Sequence, residues 1–271
     1  MSDITLSAGV RQNLLSLQNI SKELQTTQNH LATGKKVNSA LDNANEYFTS
    51  QGLTNRANSL SGLLDGITNG INTIQAANNG ITAITKLVQS AQSLVTQAQQ
   101  TSDTTVRASL ATQYGQILTQ IDQLAGDSGY NGTNLLSGNN LTLTLNETGT
   151  STATVTGVTD TSTGLSIAAA TSSWAGSTDI AAAATDLTAA LTTLQSQSAS
   201  LSSSLSTIQI RADFTSATIN TLQTGAAALI AADTNEEGAN LLALQTQQSL
   251  STTALSLSAQ SDRNVLKLFG G

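Results

Sequence analysis

The chain has 271 residues, a net charge of −7, and only 10% charged and 3% aromatic residues. An acidic chain whose densest basic cluster is the pair Lys35-Lys36 is excluded as a nucleic-acid binder, since phosphate recognition needs grouped Lys and Arg. With no Cys and no apolar run of 18 or more residues, the sequence offers no disulfide, no thiolate metal site and no membrane-spanning helix, and neither nucleic acid nor membrane is expected as a partner.

Aromatic side chains supply much of the buried area of compact cores. A chain with so few must build its interior from Leu, Ile, Val and Ala, which suits long helix–helix seams. In chain order, the first seam reads Val10, Leu14, Leu17, Ser21, Leu24, Gln28 and Leu31, spaced four and three alternately. Gly34 ends it, and Lys35-Lys36 falls where a turn is expected. A second stripe runs from Leu60 through Ile67, Ile74, Ile81, Ile84, Val88 and Val95 to Ala98, a rod of roughly 60 Å at ~1.5 Å per residue. Gly62, Gly66, Gly70 and Gly80 interrupt it, each at a cost of up to ~1 kcal/mol relative to Ala. Their expected role is close approach of a partner helix.

Ser102-Asp103-Thr104 supplies N-cap chemistry for a third helix with the stripe Val106, Leu110, Tyr114, Ile117, Ile121 and Leu124. After the turn-rich segment 126–140 the period changes. Leu141, Leu143 and Leu145 alternate with polar residues, Gly149 marks a turn, and Ala153 and Val155 alternate again. Val158, Leu165 and Ile167 are candidates for further short strands, giving two to four in a small β insert. The helical period returns with Leu187, Leu191, Leu194, Ser198, Leu201, Leu205 and Ile208. The acidic stretch Asp233–Gly238 breaks it. A last amphipathic helix follows with Leu250, Ala254, Leu257, Ser261, Asn264 and Leu268 in one stripe, its apolar face widened by Leu241, Leu244 and Leu255.

The fold expected is mainly α: a long antiparallel bundle or coiled coil formed by the N- and C-terminal segments, with a small β-rich middle insert. No catalytic reading has support. His30 is the single histidine and reads as an interface or solvated residue, the acidic run Asp233–Glu237 reads as helix N-terminal charge, and neither a metal nor a cofactor is expected.

Three stretches carry a resemblance. LSAGVRQNLLSLQNISKELQTTQNHLATGKKVNSALDNANEY at the start, GYNGTNLLSG at 129–138 and LLALQTQQSLSTTALSLSAQSDRNVLKLF at the end are similar to bacterial flagellins, in the right order and at the right ends. The resemblance implies a subunit that polymerises into the flagellar filament. Residues 1–42 with 239–271 would be the inner terminal coiled coil, 43–135 with 181–238 the outer helical bundle, and 136–180 a small surface-exposed insert. It also implies type III export as an unfolded chain and an extracellular location. The start, MSDITLSAGVRQNLL, has no secretory signal and read alone would be cytoplasmic. The absence of Cys and Pro fits threading, because no disulfide and no slow prolyl isomerisation would delay refolding.

The partners implied are the chain itself, an export chaperone, the filament cap and the hook-junction proteins. The candidate assembly interface is Val10, Leu14, Leu17, Leu24 and Leu31 at the start and Leu250, Leu255, Leu257, Val265, Leu266, Leu268 and Phe269 at the end. The alternatives are a hook–filament junction protein and a non-polymerising coiled-coil adhesin or effector.

Overall fold

The computed structural model describes the backbone of residues 8–269 and the side chains of residues 8–264. In chain order the elements are α1 (Ala8–Thr33), α2 (Ala44–Gln100), α3 (Thr104–Asp127), β1 (Leu141–Thr144), β2 (Thr152–Val155), α4 (Ser177–Ile230) and α5 (Thr234–Phe269). The expected class therefore holds: five helices and one two-stranded sheet among the described residues. The chain divides into two compact units. The first takes the chain ends, up to Asn55 and from Thr221; the second is Arg56–Asn220.

In the terminal unit α1 and α5 pack together. Asn13 Nδ2 donates to Ser258 Oγ at 3.4 Å near one end, and His30 meets Glu237 near the other, so the two helices run antiparallel. The seam differs from the expected stripes. On α1 it takes the buried Ile20 and Thr27 where Ser21 and Gln28 were expected, and Asn13 sits deeper than Leu14. On α5 the inward residues are Leu241, Leu244, Gln248, Ser251, Leu255 and Ser258, while Leu250, Ala254, Leu257, Ser261 and Asn264 face solvent. The reason is that α5 carries two apolar stripes. Leu255 and Leu257 lie about 200° apart on a helix, so a single partner covers one stripe and leaves the other.

Gly34 ends α1 in the left-handed region (φ 66°), where glycine carries no Cβ penalty. The chain then pairs with the end of α4: Lys36 N donates to Ile230 O at 2.8 Å, and Ala232 N to Gly34 O at 3.0 Å. Val37 is buried beneath this tie. Asn43 Oδ1 accepts from Glu46 N at the start of α2, and Asp233 Oδ1 accepts from Asn235 N and Glu236 N at the start of α5. The acidic run thus serves as cap and first-turn charge.

The second unit is built on aliphatic stripes. Ile67, Ile74, Ile81, Ile84, Val88 and Val95 of α2 share one core with Leu110, Tyr114 and Ile121 of α3 and Leu187, Leu194, Leu201 and Ile208 of α4. Asp103 caps α3 as expected, accepting from Thr105 N and Val106 N, and these two amide bonds hold its carboxyl below the usual carboxylate range. Beyond α3, Asn131 (φ 48°) and Gly132 (φ 80°) make the two-residue turn of a tight hairpin between Tyr130 and Thr133. Asn134 Nδ2 then donates to the carbonyls of Ala125 and Gly126, satisfying the open end of α3.

β1 and β2 are antiparallel, with Leu141 opposite Val155 and Leu143 opposite Ala153. Alternation turns Leu143 and Val155 into the core and Thr142 and Thr154 outward. Val158, Leu165 and Ile167 form no further strands, which corrects the wider sheet that was allowed for. Val158 N instead donates to Leu135 O, and Leu165 and Ile167 are buried by a tight turn whose amides bond Thr161 O and Ser162 O. Gly157, Gly164 and the left-handed Ser166 (φ 60°) leave that stretch no run long enough to pair. Ser172, Ser173 and Trp174 also take left-handed backbone, at roughly 1–2 kcal/mol each. The turn places Trp174 in the core, its ring 4.9 Å from that of Tyr114, and burial of the indole offsets the strain.

The helix-approach role expected of the four α2 glycines is corrected. A Cβ at Gly62 or Gly66 would meet nothing. A Cβ at Gly70 would meet the Leu143 side chain at 2.6 Å, and one at Gly80 would collide with Ser128 and with Leu136. These two glycines seat the β hairpin and the post-α3 loop rather than a helix. Gly80→Ala is therefore expected to destabilise the chain by about 1–3 kcal/mol through overpacking. Gly66→Ala is expected to stabilise it by up to ~1 kcal/mol through helix propensity. Urea titrations of the two soluble variants check the pair.

Candidate assembly interface

The α1–α5 pair has no ordinary core. Its seam holds Val10, Leu17, Ile20, Leu24 and Leu31 on α1 against Leu241, Leu244 and Leu255 on α5, with Asn13, Thr27, Gln248, Ser251 and Ser258 between them. Polar rungs weaken a seam while fixing its register. The register is further set by His30 and Glu237, whose Nδ1 and Oε1 lie 2.6 Å apart with both side chains less than a fifth exposed. An Nδ1 that carries a hydrogen donates it to the facing Glu237 carboxylate, a side-chain tie between the two helices.

Next to this contact, Asp42 Oδ2 collects Asn38 N, Ser39 N and Ser39 Oγ, and the two backbone bonds hold its carboxyl below the usual range. The turn so fixed presents Leu41 at 97% exposure. Lys36 Nζ approaches Glu46 Oε2 at 3.7 Å across the same turn, an exposed pair of small energetic weight.

The candidate residues therefore fall in three groups. Val10, Leu17, Leu24, Leu31 and Leu255 lie on the intrachain seam. Leu14, Leu250 and Leu257 are exposed, the last two at 66% and 68%. Val265, Leu266, Leu268 and Phe269 belong to α5 by backbone, and their side chains lie outside the described residues. Sequence reasoning missed Leu15, Leu41, Phe48 and Leu242, all exposed. Leu242 was recoverable, because its spacings of eight and seven to Leu250 and Leu257 place all three within about 80° on one helix face. Leu41 had no periodic signal, being in a turn.

Among the described residues no group of three or more His, Asp or Glu side chains could hold a metal ion. No described helix is long and apolar enough to cross a membrane. What the surface offers is a row of exposed leucines on one helix face, and exposed apolar side chains gathered on one face mark protein–protein contacts.

Comparison with known proteins agrees with this character. The family model described as the bacterial flagellin N-terminal helical region matches residues 8–141. Over 271 residues the chain is 31% identical to Flagellin FljM of Caulobacter vibrioides, covering 99% of each chain. It is 30% identical over 279 residues to Flagellin FljK of the same organism, again with 99% of each covered. A protein called Flagellin from Brucella melitensis biotype 1 is 29% identical over 285 residues, with both chains covered in full.

The two faces of the terminal pair are separable by mutation. Ile20→Ala, at a 7% exposed seam position, is expected to cost about 2–4 kcal/mol. Leu257→Ala, on the outward stripe, is expected to cost less than about 0.5 kcal/mol in the soluble chain. Thermal unfolding of the full-length monomer, followed by helical circular dichroism, measures both.

Proposed function

The chain belongs to the bacterial flagellin family, and from that premise we propose how it does its work as the self-associating structural subunit of the extracellular flagellar filament. The observation that carries the reading is the uncovered second stripe of α5. Leu242, Leu250 and Leu257 lie on one face, each about two-thirds exposed, on a helix whose other stripe is already paired with α1. Burying a leucine is worth roughly 1.5–3 kcal/mol. Three left in solvent on a helix end that a polymer would enclose is the pattern of an interface awaiting its partner.

In this reading residues 1–42 and 239–271 form the inner tube, 43–135 and 181–238 the surrounding helical layer, and 136–180 the solvent-facing insert. Val10, Leu17, Leu24, Leu31 and Leu255 hold the terminal pair together within a subunit. Leu14, Leu250 and Leu257, with Val265, Leu266, Leu268 and Phe269, meet neighbouring subunits. The subunit carries out no bond chemistry. Its other partners are the export chaperone, which would shield the apolar C-terminal stretch before export, the filament cap and the hook-junction proteins.

Purified full-length chain added to sheared filaments of the same protein should elongate them. Deletion of residues 240–271 is expected to leave a folded Arg56–Asn220 unit and no elongation. The double substitution Leu250→Ser with Leu257→Ser is expected to raise the critical concentration for elongation about tenfold or more, with the monomer's helix content unchanged. Normal filaments from the truncated chain, or no elongation by the intact one, would sink the reading.

A further inference from the structure

The turn between α1 and α2 carries an apolar knob. Leu41 is 97% exposed, and Ala44 and Phe48 follow it, also exposed, on the first turns of α2. The knob is preorganised. Leu41 N donates to Ser39 Oγ at 3.3 Å and Asp42 N to Ser39 O at 3.2 Å, and the Asp42 carboxylate takes three donors from Asn38 and Ser39. The Phe48 ring stands edge-on to Tyr47 at 5.6 Å. A leucine held on so fixed a turn has already lost backbone freedom whose loss opposes binding.

The outward side of α5 holds a matching hole. On a helix, residues at i, i+3, i+4 and i+7 frame the hole that receives a partner's side chain. Leu250, Thr253, Ala254 and Leu257 make such a frame, and all four are exposed. Leucines close its two ends and Ala254 keeps its floor low. Thr253 turns its hydroxyl back to Ser249 O at 2.9 Å, so that polar group is satisfied without water. The frame nearer the helix start, Leu242 with Gln245, Thr246 and Ser249, is polar on three sides. From Gly238 through Ser261 no residue is charged, and depletion of charge marks the covered centre of an interface.

Resting on the reading of the outward α5 stripe as an assembly surface, we propose that these features are the two halves of one contact between copies of this chain: Leu41 of one subunit seats between Leu250 and Leu257 on α5 of the next.

Three observations make a second copy the occupant. Packing α5 on α5 would join like patches across a two-fold axis and close a dimer, whereas an open filament needs two unlike patches. Knob and hole are unlike. They also lie toward opposite ends of the α1–α5 pair. Lys36 N on Ile230 O ties the turn close to the start of α5, while Leu257 is about 30 Å along the helix from Glu237 at ~1.5 Å per residue. One chain therefore cannot fill its own hole, and head-to-tail seating leaves an open knob at one end of the row and an open hole at the other. Charge agrees as well. Around the knob, Asp42 is occupied by its donors and Glu46 by Lys36 at 3.7 Å. The comparable exposed pair on α4, Ile210 and Phe214, is flanked by exposed Arg211 and Asp213, a poor match for an uncharged face.

The natural chain has no Cys, so introduced thiols report alone. A chain with both Leu41→Cys and Leu257→Cys is co-assembled with wild-type chain on sheared filaments and treated with a short bismaleimide. Linked dimers and higher multimers are expected on denaturing gels. The same double variant as a soluble monomer, and filaments carrying either single variant, should give none. Ala254→Leu fills the hole and Leu41→Ser removes the knob. Each is expected to raise the critical concentration for elongation about tenfold, with the monomer's helix content unchanged. A plain apolar stripe would instead gain from the added leucine. Elongation without links in the double variant, dimers from Leu257→Cys alone, or an Ala254→Leu chain that elongates at or below the wild-type critical concentration each overturns the docking and leaves the filament reading standing. Failure of the wild-type chain to elongate its own filaments sinks both.

Discussion

The constraint on which this molecule depends is that an aliphatic helix seam is narrow. Leu, Ile, Val and Ala stripes bury one face of a rod, and a chain with 3% aromatics has few larger side chains to widen the contact. The two largest fully buried side chains, Trp174 and Tyr114, are spent together at one place in the Arg56–Asn220 unit, where a left-handed turn seats the indole beside α3. Everywhere else stability is spread along helix length. A helix of 57 residues such as α2 tolerates several glycines because its partners, rather than its own propensity, keep it folded.

The terminal pair shows the same constraint at its limit. Polar rungs such as Thr27 and Gln248 interrupt its seam, and α5 carries a second apolar stripe that α1 leaves uncovered. A globular protein would fold a third helix onto that stripe. Among the described residues none covers it, so the stripe's free energy remains available to association. Family membership and surface pattern thus meet on the same helix.

The sequence made the elements legible because their signals are local. The cap at Asp103, the stop at Gly34, the Asn131-Gly132 turn and the Leu141–Val155 hairpin each follow from a few adjacent residues. The choice between neighbouring stripes was not legible. Leu14 with Ser21 and Gln28, or Asn13 with Ile20 and Thr27, both satisfy the four-three rhythm around Val10, Leu17, Leu24 and Leu31. Only the partner helix decides between them. The same holds on α5, where Leu255 and Leu257 each head a plausible stripe. The glycines failed for a related reason: Gly66 and Gly80 look alike in sequence, and their difference is set by Ser128 and Leu136, some fifty residues away.

The complete burial of Asp160, in the loop that follows β2, was invisible for the opposite reason, since an isolated acidic residue in a Thr-rich loop reads as solvated. It is a consequence of how the insert is built. The loop has too little regular structure to be held by a sheet, so it is held by single bonds, among them Val158 N to Leu135 O, Asp160 N to Leu136 O and Ser162 N to the Asp122 carboxylate. Each tie brings loop backbone against the helical core, and the side chain between Val158 and Ser162 is carried in with it. A polar residue forced inward in this way must find a partner or change its protonation state. Small inserts on aliphatic helical scaffolds have few apolar groups with which to seal that contact.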